Sequence, residues 1–206
     1  MPKLRDPDQR AAERRAQILE EAVRVFGEKG YHATNIADIA AALGLGHGTF
    51  YRYFKNKLAI FDAVIDGIIL AIGDLVTAES PTSAETLEDY RAQLRRIGER
   101  FHAIFASNER LARVFLYEAL VVDAEIAGKM RTVMERLAKH TQAYLENGKK
   151  RGFLRADLDT HVTARAVNAM ILESIHHVAR DRASSRAALR WQDAIIRLML
   201  DGMAAR

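Results

Sequence analysis

The chain has 206 residues, of which 49% are hydrophobic and 28% charged, and its formal net charge is +4. This composition supports a folded core and excludes a disordered or collagen-like chain. With no cysteine, disulfides, thiolate metal sites, iron–sulfur clusters and cysteine nucleophiles are excluded together.

The chain opens Met1-Pro2-Lys3-Leu4-Arg5-Asp6 and carries no signal-type apolar segment, so a cytoplasmic protein is expected. Apolar runs such as 67–73 are too short to span a bilayer, so no membrane partner is expected. Prolines occur only at 2, 7 and 81, and apolar residues recur at three- and four-residue steps. That period predicts an all-α protein of about nine helices. The first helix is predicted near Gln9–Glu28, with Ile18, Leu19, Ala22, Val25 and Phe26 as its stripe and Gly30 as its stop. Two short helices follow, near Ile36–Leu43 and His47–Phe54, then a fourth over about Lys57–Ala78. Thr82-Ser83-Ala84-Glu85 has capping-box spacing and predicts a fifth helix that reaches Ala106. Ser107-Asn108 precedes a short sixth, and the seventh runs about Ala124–Lys150 to a stop at Gly152. Asp159 caps an eighth to Arg180, and a polar break at Asp181–Ser185 precedes a ninth near Arg186–Met203. The expected organisation is an N-terminal unit at 1–55 and a larger helical unit at 56–206, joined by the fourth helix.

Residues 34–57 have helix-turn-helix grammar. Thr34 and Asn35 stand at the start of the second helix, where they can cap it, and they count among the DNA-facing candidates. Ile36, Ile39 and Leu43 form a one-sided stripe, and Gly44 takes the tight turn where positive φ favours glycine. Phe50 and Phe54 give the third helix a buried side. His47, Gly48, Thr49, Tyr51, Arg52 and Tyr53 are left to face outward. Hydroxyls and a guanidinium on one face suit phosphate and base edges in a major groove. Residues 1–58 hold ten Lys/Arg against seven Asp/Glu, and no acidic residue lies between Ile39 and Phe61. A local acid-free stretch accepts a polyanion without repulsion.

These residues resemble the TetR/AcrR-type transcriptional regulators. The shared pattern is Gly30-Tyr31, Thr34, Asp38-Ile39-Ala40, Gly48–Phe54 and Lys55-Asn56-Lys57. The resemblance covers roughly residues 14–62. It implies that His47, Thr49, Tyr51 and Arg52 enter the groove and that Tyr53 and Lys57 hold phosphate oxygens. Gly46, Ala37 and Leu58 depart from the family pattern, which bears on operator sequence. Arg10, Arg14 and Arg15 begin the first helix, after an arm with Lys3 and Arg5 that, as the resemblance implies, reaches phosphates or a minor groove.

One helix-turn-helix reads half a site, so a homodimer on a palindromic double-stranded operator is expected. Val167, Ile171 and Val178 on the eighth helix, and Trp191, Ile195, Leu198 and Met199 on the ninth, are the candidate dimer faces. The resemblance further implies a cavity for a small apolar or amphipathic effector. Its candidates are Phe101, Phe105, Phe115, Leu116, Leu120, Met130, Met134, Tyr144 and Met170. The reading is a ligand-released repressor, not an enzyme, with no cofactor. The alternative is a di-iron-like helical bundle on the Glu-x-x-His pairs Glu99/His102 and Glu173/His176, with Glu118 and Glu146 as further ligands.

Overall fold

The computed structural model describes residues 6–106, 109–180 and 185–205. Among them run nine α-helices: α1 (Pro7–Lys29), α2 (Ile36–Ala42), α3 (His47–Tyr51), α4 (Lys57–Thr77), α5 (Leu87–Ala106), α6 (Glu109–Arg113), α7 (Ala124–Arg151), α8 (Thr160–Arg180) and α9 (Ser185–Met203). No described helix is long and apolar enough to cross a membrane. The predicted arm residues Lys3 and Arg5, the Ser107-Asn108 break and most of the Asp181–Ser185 break lie outside the described residues.

Local signals explain most helix ends. The Asp6 carboxylate accepts the Asp8 N–H at 3.2 Å, and Pro7 takes a first-turn position where its missing N–H costs nothing. Asn56 caps α4 through the Ala59 N–H at 2.8 Å. Asp123 caps α7, and Gly152 ends it at φ 82°. Asp159 accepts the Val162 N–H at the start of α8. α5 departs from expectation and begins at Leu87. Thr86 and Asp89 form the reciprocal cap, with the Thr86 N–H on the Asp89 carboxylate at 3.0 Å and the Asp89 N–H on the Thr86 hydroxyl at 3.1 Å. The earlier Thr82-x-x-Glu85 has the same spacing, but Ser83 folds back on the Ser80 carbonyl in a turn after the helix break. α3 is also shorter than predicted. It stops at Tyr51, and the turn through Tyr53 brings Phe54 into the core beneath the Arg15 guanidinium, 5.0 Å from the ring centroid.

α6 continues into a π-helical turn, Val114–Glu118, in which the Ala119 N–H reaches the Val114 carbonyl at 3.0 Å. The widened turn buries Val114, Phe115 and Ala119 together and leaves Glu118 directed at the turn that follows α1. Such turns are frequent at functional positions.

Two clusters form the core. One gathers Ile18, Phe26, Ile39, Phe50, Phe61 and Ile65 under α1–α4, and continues through Phe105, Phe115 and Met130. The other joins Tyr90, Tyr144, Leu145, Val167, Ile196 and Leu200 across α5, α7, α8 and α9. Ile97 and Ile171 touch both. Each fully buried large apolar side chain contributes about 1.5–3 kcal/mol. α4 contributes to the first cluster along its length, from Ile60 and Phe61 to Ile72 and Leu75.

The two Glu-x-x-His pairs do not converge. Glu99 is exposed, while His102 is buried with its Nε2 3.0 Å from the Ser174 hydroxyl. Glu173 pairs with His177 at 3.0 Å, and His176 hydrogen-bonds Tyr117. Glu118 and Glu146 are engaged elsewhere, with the Tyr31 N–H and the Thr160 hydroxyl. No group of three or more His, Asp or Glu among the described residues could hold a metal, and the di-iron alternative falls. The reason is helical: positions three apart share a flank, but one member of the first pair turns inward and the other to solvent.

Candidate nucleic-acid interface and interior cavity

Residues 30–35 make the turn that positions α2 and α3. Gly30 leaves α1 at φ 81°, a conformation that disfavours any side chain. The Thr34 hydroxyl donates to the Gly30 carbonyl at 2.7 Å and is fully buried. Lys57 donates from Nζ to the carbonyls of Tyr31 and Thr34, each at 2.7 Å, and of His32 at 3.4 Å. Its ammonium also lies 4.3 Å from the Tyr31 ring centroid. The Asn35 N–H donates to the Asp38 carboxylate at 2.9 Å. That bond, with Lys29 3.0 Å away, holds the Asp38 carboxyl below its ordinary range.

Two expected DNA ligands are therefore placed differently. The buried Thr34 hydroxyl already has its acceptor, and the donors of Lys57 are taken by backbone carbonyls. Both build the turn. Replacing Lys57 with methionine is expected to lower stability by about 1–3 kcal/mol, because carbonyls in a half-buried turn lose their donor. Thermal unfolding followed by circular dichroism checks this. An unchanged midpoint would return Lys57 to a role in phosphate contact alone.

The expected outward face is present. Asn35, Gly48, Thr49, Tyr51 and Arg52 are exposed. Phe50 and Phe54 point into the core. His47 begins α3. Tyr53 is half-buried and lines a shallow hollow with Ala11, Ala12, Arg15 and Arg52, so α1 borders this face. Gly44 turns between the helices at φ 62°. A Cβ added at Gly46 or Gly48 would meet nothing within 4 Å. The chain's own packing leaves that side open.

A second feature lies among the longer helices. A cavity of about 110 Å³ runs between α4, α5, α7, α8 and α9. One face of α5 lines it with Tyr90, Leu94, Ile97, Gly98, Phe101 and His102. Of the expected lining residues, Phe101, Met134 and Tyr144 are there. Phe105, Phe115 and Met130 instead fill the first core cluster, with Leu116 packed against it, and Met170 packs against the second. Leu120 is 52% exposed. Four expected dimer residues, Val167, Ile171, Ile195 and Met199, face this cavity. Val178 is buried, and Trp191 stacks on His177 at 4.8 Å. Only Leu198, 66% exposed, stands on the outer surface. The inward stripes of α8 and α9 thus face the protomer's own interior, with Ile171 and Trp191 half-buried.

Residues 18–64 match the model of bacterial regulatory proteins of the tetR family. The transcriptional repressor KstR2 of Rhodococcus jostii is 30% identical over 157 residues, covering 74% of this chain and 73% of that one. The chain belongs to the TetR family. The fatty acid metabolism regulator protein of Bacillus subtilis is 24% identical over 192 residues, covering 91% of this chain and 94% of that one. The solved structure of FadR from Bacillus subtilis in complex with stearoyl-CoA has the same fold, with a TM-score of 0.72 at 21% identity over 91% of this chain and 98% of that one. This protein is a DNA-binding transcriptional regulator, not an enzyme.

In this TetR-family chain, the π-helical turn ties the two features together. Glu118 accepts the Tyr31 N–H at 3.1 Å, and Arg113 donates to the Gly27 carbonyl at 3.0 Å. Arg110 pairs with Glu28 at 2.7 Å. On the other side, Tyr117 is bonded to His176 of α8, the helix whose Ile171 and Ser174 line the cavity. Sequence reading missed this junction. Its one local signal is glutamate and arginine at i, i+5 on a helix otherwise apolar inside. Their partners lie about 87 residues away along the chain.

Proposed function

We propose that the protein is a homodimeric repressor, released from a palindromic operator when an elongated apolar or amphipathic molecule occupies the cavity. Residues 1–55 read DNA, and residues 56–206 bind the effector and dimerise. The observation that carries this reading is the apolar cavity whose α8 wall connects, through His176, Tyr117 and Glu118, to the turn that aims α3. An effector that favours one arrangement of that wall shifts the population of recognition-helix positions.

Two protomers need their α3 helices about 34 Å apart to enter successive major grooves. The outer sides of α8 and α9, with Val162, Ala166, Ala194 and Leu198 exposed, are the surface for that pairing. The stearoyl-CoA complex of the Bacillus subtilis relative supports a long acyl chain as effector class. Tyr51, Arg52 and Thr49 contact bases and phosphates, and the acid-free stretch of residues 40–60 lies against the polyanion.

The test is selection of a preferred duplex from a random pool, then affinity against salt with and without dodecanoyl-CoA. The expected results are a two-fold symmetric site, a steep linear fall of log K with log salt, and weaker binding with the acyl-CoA. A protein that selects no sequence and shows no salt dependence would overturn the reading.

A further inference from the structure

The cavity wall has an unusual polar inventory. None of its described lining residues is a lysine, arginine, aspartate or glutamate. Burial lowers the pKa of both lining histidines, His102 and His140, so both are neutral near pH 7. Most lining polar groups are already engaged. The Tyr144 hydroxyl donates to the Glu79 carbonyl at 2.8 Å, Thr141 donates to Asn168 at 2.8 Å, and Gln192 donates to the Arg95 carbonyl at 2.6 Å. Ser174 reaches the Ile171 carbonyl at 2.6 Å.

Two lining groups differ: the Nδ1 of the neutral His102 ring and the Tyr90 hydroxyl are buried without a hydrogen-bond partner among the described residues, and of the two only the hydroxyl is certain to carry a proton to donate. Tyr90 is 1% exposed and lines the cavity. Burial raises its pKa, so it stays a protonated donor. An unsatisfied buried donor is costly to fold, and such a group calls for a physical account. Tyr90 also stands at one end of the lining face of α5. From Tyr90 to His102 the helix rises about 18 Å, so the face suits an extended chain.

We infer that the effector is uncharged where it lies inside the protein, and that the Tyr90 hydroxyl donates a hydrogen bond to a carbonyl oxygen on its long apolar chain. The inference rests on the cavity being the effector site, as proposed above. A neutral ester and a thioester share this chemistry. An ionised fatty acid, an organic cation and a bare hydrocarbon do not: the first two bring an unpaired charge into an apolar wall, and the third leaves the hydroxyl unpaired. Tyr90 is then a specificity-determining residue.

The test compares the full chain with Tyr90→Phe by calorimetry and thermal shift. The probes are methyl dodecanoate, dodecanoyl-CoA, dodecane delivered from cyclodextrin, ionised dodecanoate and dodecyltrimethylammonium. The wild type is expected to bind at least one carbonyl probe, the methyl ester testing a free ester and the CoA thioester a carrier-linked one. It should bind the two ions at least about ten-fold more weakly. Tyr90→Phe should lose about five- to ten-fold in affinity for the carbonyl probe, keep its affinity for dodecane, and melt higher than wild type when free. Equal carbonyl affinity in the two proteins, or tighter binding of ionised dodecanoate, would overturn the inference. A cavity-narrowing change, Ile171→Phe or Leu94→Phe, whichever keeps the wild-type melting profile, separates the two levels. If it leaves all probe binding unchanged, the cavity is not the site and both readings fall. If it abolishes binding while Tyr90→Phe has no effect, only the role of Tyr90 falls.

Discussion

Replacing Tyr51 and Arg52 together with alanine is expected to weaken operator binding by about a hundred-fold or more while leaving thermal unfolding within about 2 °C of wild type. The two halves of that expectation come from opposite sides of one short helix. Phe50 and Phe54 hold α3 to the core. Tyr51 is 50% exposed and Arg52 stands at the exposed end of the helix. Surface substitutions away from caps and cores change stability by about 0.5 kcal/mol or less. A good side-chain contact to a base is worth about 1–3 kcal/mol, so two removed in each of two protomers reach the stated loss. Fluorescence anisotropy on the selected duplex measures the first half, and circular dichroism the second. Wild-type affinity in the double variant would mean that another surface reads DNA. A large drop in melting temperature would mean that these side chains pack inside the molecule.

The second large effect is expected at Gly27→Ala. A Cβ there would lie 2.3 Å from Arg110 Cβ and 2.8 Å from Arg110 Cα. Backbone cannot swing aside as a side-chain tip can, so α1 and α6 must separate. Overpacking of this kind costs about 1–3 kcal/mol. Separation also strains the Arg113 bond to the Gly27 carbonyl and the Glu118 bond to the Tyr31 N–H. The variant should therefore melt several degrees lower and respond less to effector. Operator affinity with and without dodecanoyl-CoA reads the response. Glu118→Ala serves as the companion: it removes the acceptor without the clash. It should blunt the effector response with a smaller loss of stability, and Glu118→Gln, which keeps an acceptor oxygen, should restore part of it. An effector response as large as wild type in both Gly27→Ala and Glu118→Ala would show that the signal travels by another route.

Short-range grammar was readable in the chain because its causes are local. The positive φ at Gly44, the stop at Gly152, the cap of Asp159, and the inward Phe50 and Phe54 depend on residues within one or two turns. The misplaced start of α5 shows where locality becomes ambiguous. Two threonines carried the same signal four residues apart, and the turn at Ser80–Ser83 chose between them.

The all-helical architecture, the helix-turn-helix and its outward face were legible in the residues alone, since helical period and turn chemistry act between near neighbours. That Val167, Ile171, Ile195 and Met199 line a cavity, that Lys57 and Thr34 build a turn, and that Glu118 reaches across to the turn after α1 came from the three-dimensional packing alone. Amphipathic spacing tells which side chains turn inward. What they meet there is set by helices that are distant in the chain and adjacent in space.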